Sequence, residues 1–123
     1  MLAGTFYTIV QEHAEEGQPL RVSIALNAAH PIFEGHFPGQ PVVPGVCMMQ
    51  TIQELMERKL ERKLQLKKAN SMKFLNAINP LHHPEVNIEL QHTAQEDGTI
   101  NVTALLKSDP LTFMKFQGVF KNV

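Results

Sequence analysis

The chain has 123 residues, 43% of them hydrophobic and 19% charged, with a formal net charge of −1, which fits a single globular domain (1–123) with a modest core. So small a charge argues against a nucleic-acid partner, which would show a basic excess. A single Cys excludes an internal disulfide and makes the reducing cytoplasm the expected compartment, and the absence of any run of about 18 apolar residues leaves no expected membrane span.

Gly4 to Val10 is apolar and β-prone, and Glu12 to Pro19 reads as a polar connection. Arg21 to Leu26 alternates, with Val22, Ile24 and Leu26 on one side, which is a strand pattern. Asn27 to Val43 is the loop region, and Pro44 suits a first helical position, where its missing N–H costs nothing. Val46, Met49, Ile52 or Gln53, Met56 and Leu60 then recur at helical spacing to about residue 62. The uncharged first turns predict burial, and the Glu, Lys and Arg between Glu54 and Lys68 predict a solvated second half. Ser71 to Ile78 reads as a strand closed by Asn79-Pro80. Val86, Ile88 and Leu90 alternate with polar residues, Asp97-Gly98 turns into Thr99 to Leu106, and Asp109-Pro110 turns into Leu111 to Phe120. One long helix among five or six mostly antiparallel strands is an α+β layout, with the helix against one face of the sheet.

Chemistry concentrates before the helix. Between His36 and Val46 stand three prolines and two glycines, so the loop is stiff and shaped rather than slack. It delivers one imidazole beside the start of a buried helix. The histidines His30, His82, His83 and His92 fall in loop or strand-end contexts and are expected to be solvated. His82-His83 has no third ligand placed to complete a metal site, so no metal is expected. Cys47 reads as packing, and Met48, Met49, Met56, Met72 and Met114 as core.

The stretch Phe33-Glu34-Gly35-His36-Phe37-Pro38-Gly39-Gln40-Pro41-Val42-Val43-Pro44-Gly45-Val46 resembles the loop-to-helix motif of hotdog-fold 3-hydroxyacyl-[acyl-carrier-protein] dehydratases. Phe74, with Pro80 six residues on, resembles that family's next strand. The resemblance implies a hotdog fold, a sheet wrapped around the central helix, with two subunits paired as a homodimer that could stack into a trimer of dimers. It implies His36 as the catalytic histidine and a substrate site formed by Phe37, Pro38, Gly39, Phe74 and the amides of Gly45 and Val46, which would hold the thioester carbonyl. The substrate would be an acyl thioester on an acyl carrier protein, with no cofactor beyond the carrier's phosphopantetheine arm. If an acyl tunnel exists, the methionines with Phe74, Phe113 and Phe116 are its plausible walls.

Two positions depart from the family pattern. The family's second catalytic group is a carboxylate on the partner subunit's helix, fourteen residues after the histidine, and here that position is Gln50. Leu81-His82 also stands where a Gly-Asp pair is usual. A carboxylic acid can protonate a departing hydroxyl, whereas an amide can only orient it. Among nearby acids, Glu54, one turn beyond Gln50 on the same face, is the better stand-in, and Glu34 the poorer. Three readings stay open: a dehydratase using His36 and Gln50, a non-catalytic acyl-thioester or carrier-binding subunit that pairs with a complete homologue, and a hotdog thioesterase. The mixed-sign run from Arg58 to Lys68 reads as a solvated helix end, with docking of an acidic carrier as its alternative.

Overall fold

The computed structural model describes residues 2–34 and 41–123. Six strands and one α-helix follow in the order β1 (Tyr7–His13), β2 (Leu20–Leu26), α1 (Gly45–Leu60), β3 (Leu64–Phe74), β4 (Glu85–Ala94), β5 (Ile100–Ser108) and β6 (Leu111–Asn122). The strands form one antiparallel sheet in the order β1-β2-β4-β5-β6-β3. The α+β expectation holds, with six strands and β1 and β3 at the edges.

The alternation in the sequence decides which face is apolar. Val86, Ile88 and Leu90 on β4, Ile100, Val102, Ala104 and Leu106 on β5, and Met114, Phe116 and Phe120 on β6 are buried in one cluster with the helix. Their neighbours Gln91, Thr103, Lys115 and Gln117 point outward and are exposed. The helix contributes Met48, Ile52, Leu55 and Met56, each at most 5% exposed. Burial of these four side chains favours docking by roughly 6–12 kcal/mol before chain entropy is subtracted.

Three expectations are corrected here. The buried stripe of α1 runs through Cys47, Met48, Thr51, Ile52, Leu55 and Met56, while Val46 is 74% exposed. Burial also reaches further along the helix than its charges suggest, because Glu54 is buried and solvation begins only at Arg58. The third concerns β3, which starts at Leu64 inside the charged stretch and ends at Phe74, short of the predicted strand limit at Ile78. Glu61 stops the helix by turning left-handed (φ 55°) while its N–H bonds Glu57 O. Helix side chains then receive the strand: Leu64 N donates to Glu57 Oε2 at 2.9 Å and Gln53 Nε2 donates to Leu64 O at 3.1 Å. From there β3 pairs along β6, Leu64 opposite Asn122 and Phe74 opposite Met114.

Candidate active site at the start of the central helix

His36, Phe37, Pro38 and Gly39 lie outside the described residues. What is described is the frame on either side of them. Before the loop, a 3₁₀ turn spans Pro31–Phe33, and His30 caps it, its Nδ1 accepting from Ile32 N at 3.0 Å while the ring meets Phe6 edge-on. His30 is therefore a half-buried structural cap rather than a solvated side chain. His83 is likewise half-buried, its ring edge-on to Phe113, whereas His82 and His92 are exposed. After the loop, Val43 N donates to Ile78 O at 2.9 Å, which ties the approach to the helix to the segment following β3.

Gly45 and Val46 open the helix behind Pro44, which offers no side-chain cap, and the first turn holds no acidic residue. Among the described residues the amides of Gly45 and Val46 meet no acceptor. They are the donors that a helix start leaves over, on its positive end. An oxygen placed there would receive two N–H bonds, which is the geometry for a developing oxyanion. Phe74 closes one side. Its ring lies so near Gly45 that a Cβ on that residue would stand 2.9 Å from Cζ. A side chain at this position would push the ring aside. Phe74 is still 50% exposed, and Val46, Leu75 and Leu81 add further exposed apolar surface.

Gln50 lies on the same helix, half-buried, and its Nε2 donates to Glu54 Oε2 at 2.9 Å. Glu54 does not act as a stand-in acid. Its carboxylate also accepts from Leu2 N at 2.8 Å, Ala3 N at 2.9 Å and the Tyr7 hydroxyl at 3.1 Å. Burial pushes the Glu54 carboxyl up, but the bonds from Leu2, Gln50, Ala3 and Tyr7 together outweigh it and hold the group below its ordinary range. A carboxylate kept ionised and saturated by four donors has no proton to give. Among the described residues, Val43, Met48, Thr51 and Ile78 beneath the helix start line a void of only about 10 Å³, too small for an acyl chain at that place. Phe113, Phe116 and Met114 are packing, and Met72, at 36% exposed, is not core. Cys47 is buried, and burial raises its thiol pKa, which leaves it inert.

Residues 11–109 match the family model of the ApeI-like dehydratases, described as ApeI dehydratase. The chain belongs to that family. Among curated relatives, a 3-hydroxyacyl-[acyl-carrier-protein] dehydratase FabZ of a Nitratiruptor species is 25% identical over 117 residues, covering 76% of this chain and 79% of the relative. The FabZ of Mannheimia succiniciproducens is 43% identical over 42 residues, covering 34% of this chain and 28% of the relative. The FabZ of Haemophilus influenzae is 26% identical over 84 residues, covering 62% and 57%. In these last two matches the chain thus spans about a quarter and just over half of the relative's length.

Two solved structures share the fold. The ApeI:P dehydratase heterocomplex from Xenorhabdus doucetiae aligns with a TM-score of 0.68 at 16% identity, over 94% of this chain and 97% of the other. The (R)-hydratase from A. caviae aligns with a TM-score of 0.66 at 20% identity, over 89% and 98%. The hotdog fold is thus shown. Among the described residues no helix is long and apolar enough to cross a membrane.

Proposed function

We propose that this ApeI-like protein removes water from a 3-hydroxyacyl thioester carried on an acyl carrier protein, giving the trans-2-enoyl thioester in fatty-acid or related lipid or polyene synthesis. His36 takes the α-proton, the C–H electrons form the double bond, and the C–O bond at the β-carbon breaks. The thioester oxygen gathers charge as the proton leaves and rests on the amides of Gly45 and Val46. The partner subunit's Gln50 orients the leaving hydroxyl, which departs as water with a proton drawn from solvent. General acid help is worth about 10²–10⁴-fold, so an amide at position 50 makes this a slow dehydratase. No metal or organic cofactor takes part beyond the carrier's phosphopantetheine arm.

One observation carries the reading: two amides without an acceptor among the described residues, at a helix start without acidic residues, walled by Phe74 and separated by five residues from the His-Phe-Pro-Gly sequence. Pairing of two copies is supported by β3, an edge strand with exposed Met72 and Phe74 whose free backbone can extend into a second sheet. With so little room beneath the helix start, the acyl chain then lies between subunits. Arg58 to Lys68 would attract an acidic carrier to the helix end. The test incubates the protein with 3-hydroxyacyl and enoyl carrier-protein thioesters and follows interconversion in both directions. Turnover that rises with Gln50→Glu supports the proposal, and none from either protein defeats it.

A second reading has its own support. Because Gln50 is an amide and Glu54 is held ionised, this stretch of helix carries no proton donor. A non-catalytic subunit that completes a dehydratase with a different chain would show that pattern, and the Xenorhabdus doucetiae relative in structure is a heterocomplex. Carrier binding without turnover, unchanged by His36→Ala, would favour it.

A further inference from the structure

Glu54 is a buried carboxylate, 4% exposed, that no step above uses. Its two oxygens divide the four donors evenly. Oε1 takes Ala3 N and Tyr7 OH, and Oε2 takes Leu2 N and Gln50 Nε2. An ionised carboxylate only accepts, so the Gln50 side chain must turn its NH₂ toward Glu54. We infer that Glu54 is a positioning residue: it holds Gln50 by its amide nitrogen and leaves the Gln50 carbonyl oxygen as the atom offered to the bound hydroxyl.

The consequence is chemical. A carbonyl oxygen receives a hydrogen bond from the substrate's 3-hydroxyl and so points that hydroxyl's lone pairs elsewhere. A free amide could turn about and present N–H instead, engaging the lone pairs that must accept a proton. The N-terminal segment is part of the device, because Leu2 and Ala3 supply two of the four bonds. Tyr7 from β1 is the titratable group that contacts Glu54, and Glu57 and Arg58 from α1 act in turn on Tyr7. Arg58 is occupied by Glu12 at 3.3 Å. Tyr7 is held above its ordinary range, by burial first and then by Glu54, so it remains a donor.

The inference rests on the dehydratase reading only for its kinetic readout, so two experiments separate the failures. In the wild-type protein, NMR of the ¹⁵N-labelled Gln50 side chain without substrate is expected to show contacts from its NH₂ protons to the Leu2 amide. It should also show a displaced shift that returns to the free-glutamine value only as Glu54 protonates at acid pH. A free-glutamine shift at neutral pH overturns the inference, whatever the protein's activity. In turnover assays, Glu54→Gln is expected to lower kcat about tenfold, the worth of one oriented hydrogen bond, with KM within twofold. A kcat unchanged in Glu54→Gln counts against Glu54. If neither wild type nor variants turn over, the dehydratase reading falls and the NMR result alone decides the positioning.

Discussion

Replacing Glu54 by Gln keeps the size of the side chain and removes its charge, so the effect on stability isolates the hydrogen bonds. One carboxylate oxygen becomes an NH₂ group that must face two donors. The less costly arrangement keeps the oxygen for Ala3 N and the Tyr7 hydroxyl, since that hydroxyl is buried, and sets the NH₂ against Leu2 N and Gln50. Two charge-assisted bonds are lost, at about 1.5–3 kcal/mol each. Gln50 recovers roughly 1 kcal/mol by turning its carbonyl toward the new NH₂. The net expectation is a loss of about 2–5 kcal/mol at pH 7, against a total stability on the order of 5–15 kcal/mol for a domain. The pH dependence has a definite sign. Glu54 is depressed in the folded protein relative to its ordinary 4.5, so its stabilisation is fully present above that pH and is lost as pH falls through the folded value. Urea unfolding of both proteins from pH 7 down to pH 3 should therefore show two curves that converge in acid. A difference under about 0.5 kcal/mol at pH 7, below the worth of a single net hydrogen bond, or a gap that does not narrow on acidification, would refute the reasoning.

Further outcomes follow from local geometry. Gly118→Ala puts a methyl 2.7 Å from the Lys68 carbonyl and against the Phe116 ring. It should cost about 1–3 kcal/mol by overpacking, read as a lower urea midpoint. Glu61→Gly relieves a left-handed residue at the helix end and should raise stability by about 0.5–1 kcal/mol, because glycine adopts that conformation freely. Gly45→Ala should change stability by under about 1 kcal/mol, since the half-exposed Phe74 ring can move aside. Its steady-state turnover should drop, because the methyl and the displaced ring crowd the place of the thioester oxygen. Unaltered turnover would remove the helix amides from the mechanism.

Much of the fold is legible in the chain because its signals are local. Alternation over Val86 to Leu90 and Thr99 to Leu106, and the turns at Asp97-Gly98 and Asp109-Pro110, set a meander whose pairing partners are near in sequence. Of the candidate site, the helix start was legible, because Pro44 and Gly45 mark it locally. Less could be read where the deciding partner is distant. The run from Leu64 to Lys68 has helical composition, yet β6, some fifty residues on, and the side chains of Gln53 and Glu57 make it a strand.

The amino-acid order alone determined the α+β layout and the amide at position 50, because periodicity and side-chain chemistry belong to neighbouring residues. Only the tertiary structure decided what Glu54 is. Read along the helix it is a solvated acid one turn past Gln50. Folding brings Leu2, Ala3 and Tyr7 over it from about fifty residues away, and a carboxylate surrounded by donors is an anchor rather than an acid. The same long-range packing placed Phe74 on Gly45 and filled the core beneath the helix, since side-chain volume is settled only where distant elements meet.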